Sequence, residues 1–139
     1  MSEAENLSLV NKYVEACNRH DVDAMTDLYA PGCVFHSSPP WPDAIGPDKK
    51  YAMDLFTAFP DARFTVEQVV ASGDTVVYRG FMEATHNGPL ASPPIPATGK
   101  HVVLALCRFD RIANGLVAEE WQFSSDAALL VQLGYLPVA

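Results

Sequence analysis

The strongest constraint on the fold lies in the second half of the chain, where four segments rich in Val, Phe, Tyr and Ile follow one another. They cover roughly residues 62 to 71, 75 to 86, 100 to 112 and 116 to 124. The first two are separated by "SGD" and the last two by "ANG", both suited to tight turns, so the segments form an antiparallel meander. Between the middle two lies "NGPLASPPIPATG", a loop with four prolines. Loops this long in compact domains are usually functional lids or flexible segments, and proline stiffens this one.

The first half reads as helical. "SEAENLSLVNKYVEACNRH" opens with a capping-box pattern, Ser2 and Glu5, and sets Leu7, Val10, Val14 and Cys17 on one stripe. "DVDAMTDLY" predicts a short helix capped by Asp21, with Ala24, Met25 and Leu28 inward and Pro31 and Gly32 at its end. "CVFH" predicts a short strand, and the proline-rich "SSPPWPDAIGP" after it cannot continue a ladder, because proline lacks the N–H. "DKKYAMDLFTAF" spaces Tyr51, Leu55, Phe56 and Phe59 as a third helix that stops at Pro60. "DAALLVQLG" predicts a last short helix with Gly134 as its C-cap. Helices covering one face of a four-to-six-stranded sheet make an α+β layer arrangement, expected as a single domain over residues 1–139.

Composition removes several function classes. The net charge is -8 and the few Lys and Arg are scattered, which argues against a nucleic-acid partner. No run approaches the roughly 20 apolar residues of a membrane span, and "MSEAEN" is acidic where a signal peptide is basic. Cys17, Cys33 and Cys107 form no CxxC and read as buried, reduced thiols, so the expected location is the cytoplasm. The histidines show no HExxH, and neither GxGxxG nor GxxxxGK[ST] is present. Ser37 and Ser38 lack a nucleophile-elbow setting. The expectation is no metal and no cofactor, leaving acid/base chemistry or binding.

The stretches "CNRHDVDAMTDLYAPGCVFHSSPP", "FPDARFTVEQVVASGDTVVYRG", "THNGPL…IPATGKHV" and "FDRIANGLVAEEW…LLVQLG" occur in the right order over nearly the whole chain. With them the chain resembles the SnoaL-like polyketide cyclase (ester cyclase) group of the nuclear-transport-factor-two-like superfamily. The resemblance implies a cone-shaped α+β barrel. Three N-terminal helices would pack on a strongly curved, mostly antiparallel sheet around a deep apolar pocket, with a short C-terminal helix and a homodimer or higher oligomer. It also implies an enzyme of secondary metabolism acting on an apolar or polycyclic, polyketide-derived molecule. Members close a ring by aldol condensation without metal or organic cofactor; relatives include isomerases, dehydratases, epoxide hydrolases and non-enzymatic modules, so the site must be argued separately.

In "EEWQF", Glu120, Gln122 and Ser124 share one strand face, and Glu119, Trp121 and Phe123 the other. Residues alone would bury the aromatic face. The resembled group reads "EHWD" here with His and Asp inward, which matches Glu120 and Gln122 through Trp121. An amide can orient a carbonyl or water but cannot act as the general acid/base, so this departure shifts attention to Glu120. Glu120 is either a pocket carboxylate, a Glu at the solvent-exposed strand end, or a partner of Arg108. His36 is a pocket candidate by imidazole chemistry, or else a hydrogen-bonded structural residue. His86 in "THNGPL" sits at the pocket wall or fixes the long loop. His20 and His101 read as surface residues. Arg79 and Arg108 lie in apolar strands and are expected to face outward, with Arg79 the better candidate to grip an acidic substrate. Trp41, Met53, Phe56, Tyr78 and Trp121 are candidate pocket walls that would serve equally as core.

Overall fold

The computed structural model describes residues 2–37 and 42–138. Helix α1 (Glu3–Asn18) begins where Ser2 Oγ accepts the Glu5 N–H at 3.1 Å. Its buried stripe is Leu9, Val10, Tyr13, Ala16 and Cys17, with Asn6 beneath it donating to the Gly73 carbonyl at 3.2 Å. At the far end the Asn18 amide pairs with both backbone groups of Phe64, accepting its N–H at 2.7 Å and donating to its carbonyl at 3.0 Å. One side chain thus imitates a neighbouring strand and pins α1 to the sheet.

Helix α2 (Val22–Thr26) is capped by Asp21, which accepts from the Ala24 N–H, and buries Met25. Strand β1 (Tyr29–His36) is twice the length that "CVFH" suggests. The segment read as loop holds a two-residue strand, β2 (Ala44–Ile45), antiparallel to β1, so only part of the proline-rich stretch is barred from pairing. Asp48 caps α3 (Lys49–Ala58), whose inward residues are Ala52 and Ala58.

The meander consists of β3 (Arg63–Ser72), β4 (Thr75–Thr85), β5 (His101–Ala113) and β6 (Leu116–Ser124). The sheet order is β2-β1-β6-β5-β4-β3, all neighbours antiparallel except β1 and β6. The sheet is therefore mixed and has two free edges, and the expected barrel is not closed. After β6 comes α4 (Asp126–Gln132), followed by Gly134 at φ +84°. Gln132 accepts the Val103 N–H at 2.7 Å and donates to the Val103 carbonyl at 2.8 Å, plugging β5 beyond the end of β6.

Two apolar clusters result. One lies between α1, α2 and the sheet around Val10, Tyr13, Met25, Tyr29, Val76 and Tyr78. The other gathers Phe59, Met82, Ala84, Ile95, Val102 and Leu133. No helix among the described residues is long and apolar enough to cross a membrane.

Candidate functional site

Alternation along β4, β5 and β6 turns Tyr78, Arg108, Asp110 and Glu120 toward the helices, and all four are buried. The register sets them side by side: Tyr78 opposite Arg108, Arg108 opposite Gln122, and Asp110 opposite Glu120. Tyr29 arrives from β1 and Tyr13 from α1. A group of charged and phenolic side chains therefore sits inside the first apolar cluster, where each needs a partner.

The Tyr29 hydroxyl donates to Glu120 Oε2 at 2.7 Å. Arg108 Nε lies 4.0 Å from Glu120 Oε1, and its guanidinium stands over the Tyr13 ring at 5.2 Å. The Tyr13 and Tyr29 rings meet edge to face at 5.6 Å. Arg108 Nε, Tyr78 Oη and Asp110 Oδ1 are buried without a hydrogen-bond partner among the described residues. Burial, then the neighbouring Glu120, holds the Asp110 carboxyl well above the usual carboxylate range. Burial likewise pushes the hydroxyls of Tyr29 and Tyr78 up, keeping them proton donors. Beside Tyr78 and Arg108 the interior leaves a void of ≈ 10 Å³, room for about one water. Gln122 is half-buried and lies one inward position closer to the open end of β6.

Several expected site residues lie elsewhere. β1 runs parallel to β6 with Phe35 beside Glu120 and His36 beside Trp121, which places His36 and Trp121 on the opposite face of the sheet from Glu120. There His36 donates from Nε2 to Glu119 Oε2 at 2.6 Å and from Nδ1 to Asp43 Oδ2 at 2.9 Å, and its ring stacks on Trp121 at 4.8 Å. Arg111 Nε donates to Glu119 from the other side at 3.1 Å. His36 is thus the centre of an outer staple, and Trp121 is not an inner wall.

His86 is fully buried but belongs to the second cluster, eight residues beyond Tyr78, about 26 Å of strand away. Its Nδ1 accepts the Thr98 N–H at 3.2 Å, and burial lowers its pKa, so it is a neutral imidazole fastening the end of the long loop. That loop is anchored by Gly88 N–H to the Ala58 carbonyl and by buried Ile95, away from Glu120.

Arg79 is exposed on the outer face, donating to Gln68 at 3.0 Å and lying 3.7 Å from Glu67. Arg108, expected outside, is inside for the opposite parity. Met53 is 58% exposed on α3. Phe56 is half-buried and stacks at 4.1 Å on His20, which also bonds the Ala62 carbonyl and so is not a free surface residue. His101 is exposed. Trp41 lies outside the described residues. Cys17 and Cys33 are buried free thiols, and Cys107 is a half-buried one. No cluster of three or more His, Cys, Asp or Glu with a metal-holding arrangement occurs among the described residues.

Comparison with known proteins now decides the family. The model of the SnoaL-like polyketide cyclases matches residues 8–133. The chain belongs to the SnoaL-like polyketide cyclase family. Among solved structures it is similar to AclR of Streptomyces galilaeus, a candidate hydroxylase, with 31% identity over 99% of this chain and 86% of that one, at a TM-score of 0.89. It is also similar to IdmH of Streptomyces antibioticus, a candidate polyketide cyclase, with 26% identity over 91% and 96% of the two chains and a TM-score of 0.74. A SnoaL-like protein of Jannaschia sp. CCS1, 22% identical over 96% and 94% of the chains, shares the fold at a TM-score of 0.82. No curated protein matches the chain. Within this SnoaL-like frame the inner positions flanking Trp121 hold Glu120 and Gln122. The residues that surround them, Tyr13, Tyr29, Arg108 and Asp110, were not legible as a group in the sequence.

Proposed function

We propose that the protein is a cofactor-independent acid/base enzyme that cyclises or isomerises a polyketide-derived or polycyclic small molecule, with Glu120 as its proton carrier. The observation that carries this reading is the seat of Glu120: 3% exposed, bonded by the Tyr29 hydroxyl and facing the Arg108 guanidinium. A carboxylate fixed in apolar surroundings can remove a proton from carbon next to a carbonyl, and a nearby guanidinium stabilises the enolate oxygen that results. Gln122, in register with Arg108, supplies an amide to orient that carbonyl. In this reading substrate approaches Glu120 from the side of Gln122, which is half-buried where Glu120 is buried. His36 and His86 have no part in this chemistry, since one is on the outer face and the other fastens a loop.

The test is deuterium uptake from D2O at carbons α to the carbonyls of polyketide-derived ketones and esters, followed by mass spectrometry. Glu120→Gln should abolish exchange while the far-ultraviolet circular dichroism is unchanged, and Gln122→Asp, which returns a carboxylate to the inner face, should raise it. Full exchange in Glu120→Gln would sink the assignment. Ligand retention without exchange in the wild type would point to a binding protein.

A second reading follows from the similarity to AclR, a candidate hydroxylase. The same deprotonation yields a carbanion that can add dioxygen and a proton to give a hydroperoxide, which loses water to leave a carbonyl that keeps one of the two oxygen atoms, the substrate carbon being the reductant. Product labelled from 18O-dioxygen would support hydroxylation, label from 18O-water would support hydration or epoxide hydrolysis, and no label would support cyclisation or isomerisation.

A further inference from the structure

Arg108 and Asp110 stand two residues apart on the inner face of β5, and Asp110 is directly opposite Glu120 on β6. Opposed side chains of an antiparallel pair are immediate neighbours. Both carboxyls are buried, at 2% and 3% exposure, so water screens neither. The titratable groups around them are Tyr13 and Cys17 from α1, Tyr29 and Cys33 from β1, Tyr51 from α3, Tyr78 from β4, and Arg108. Of these only Arg108 is a cation; the phenols and thiols are neutral when protonated. Two ionised carboxylates facing one guanidinium would leave a buried net negative charge, which a low-polarity interior strongly disfavours. One proton makes the group neutral.

The two carboxyls are not equivalent. Glu120 accepts the Tyr29 O–H at 2.7 Å and lies 4.0 Å from Arg108 Nε, so its carboxylate oxygens have a hydrogen-bond donor and a cation beside them. Among the described residues no comparably short hydrogen bond reaches Asp110: its Oδ1 is without a partner, and although Arg108 and the Tyr78 hydroxyl act to lower its pKa, burial and the neighbouring Glu120 outweigh them. We propose that Asp110 and Glu120 form a carboxyl pair that shares a single proton at neutral pH, held by Asp110, and that this pair is the proton store of the site. Burial and the Glu120 charge push the Asp110 carboxyl in the same direction.

The inference rests on the acid/base reading of Glu120 and extends it. When Glu120 takes a proton from substrate carbon the pair holds two, and one returns to substrate oxygen or carbon as the reaction completes. No electrons leave the substrate, so no oxidant is needed. Asp110 acts through Glu120 and is a positioning residue, holding the proton that keeps the buried pair and Arg108 neutral.

The experiment is a carbon-13 NMR titration of the full chain with labelled aspartate carboxyls and no substrate. Asp110 is assigned by through-bond correlation to its own backbone, with Asp110→Asn as a second check. The expected result is an Asp110 carboxyl still protonated at about pH 7, above every solvent-exposed aspartate. In Glu120→Gln its midpoint should fall by about one pH unit or more, a tenfold loss of proton affinity. An Asp110 signal that titrates with the exposed aspartates, or one unmoved by Glu120→Gln, would overturn the proposal. Because no turnover is involved, a protonated pair in a protein without exchange activity would sink the enzymatic reading alone, and ordinary titration with activity would sink the pair alone.

Discussion

The Tyr29 hydroxyl reaches Glu120 Oε2 at 2.7 Å across the parallel contact between β1 and β6, joining the early part of the chain to its last strand inside the core. A hydrogen bond from a neutral donor to a buried carboxylate contributes about 1.5–3 kcal/mol. Tyr29→Phe removes the hydroxyl and keeps the ring that packs on Tyr13 and Phe35. Urea unfolding at neutral pH should show a loss in that range, together with reduced exchange activity. A variant as stable as the wild type would mean that the bond adds nothing to the fold.

Arg108 is the cation of this interior, and its removal has a different signature. Arg108→Met fills the space with an apolar chain but leaves the carboxyls uncompensated, so at neutral pH it should cost about 3–5 kcal/mol. Lowering the pH from about 8 to about 5 lets the stranded carboxylate take up a proton, and the deficit relative to wild type should shrink. A deficit independent of pH would show that packing over Tyr13 matters more than charge.

The parts of the fold that local chemistry dictates were legible in advance: Ser2 and Asp21 cap their helices, and Asn114 and Gly115 turn at φ 52° and 77° between β5 and β6. Of the proposed site, the sequence offered Glu120 and Gln122, whose shared face follows from parity, Tyr78 as a candidate wall, and Arg108 as one possible partner of Glu120, the pairing found at 4.0 Å. Arg108 and Asp110 could not be placed, because both faces of β5 are apolar: Val102, Leu104 and Leu106 lie on one and Val103, Ala105 and Phe109 on the other. Tyr29 was missed because its partner lies 91 positions away through a parallel pairing that no turn announces. His36 was misplaced although parity was readable: Cys33 and Phe35 are the apolar alternate pair of "CVFH" and belong to the core, which puts Val34 and His36 on the outer face.

The outer staple gives a pH dependence whose sign is fixed by its two halves. Hydrogen bonding to Glu119, with Asp43 adding to it, raises the His36 pKa above its ordinary 6.5, so that half stabilises fully below 6.5 and is lost as pH rises through the folded value. The same bond from His36, then that from Arg111, lowers the Glu119 pKa below 4.5, so that half is present above 4.5 and lost as pH falls through the folded value. Both operate between these limits. Comparing urea unfolding of wild type and His36→Asn, the difference should be greatest near about pH 5–6 and decline toward alkaline pH. A difference that grows with pH would contradict the staple.

Strand β3 bends closely over β4 at Gly80, and that approach shapes the inner face next to Tyr78. A Cβ on Gly80 would lie 1.9 Å from the Thr65 carbonyl oxygen and 2.9 Å from the Val66 Cα, both backbone atoms that no rotamer change can move. The pairing shifts at the same place, from Val66 opposite Gly80 to Gln68 opposite Arg79, which leaves Glu67 as a bulge and increases the local twist. Gly80→Ala must therefore push β3 outward, and Phe64 and Val66, which pack against the first core cluster, move with it. The cost should be about 1–3 kcal/mol or more. Gly32→Ala is the matched control, since an added Cβ there meets nothing within 4 Å, and it should change stability little. If the two alanines unfold at the same urea concentration, the close approach at Gly80 is not what curves the sheet around Tyr78 and Arg108.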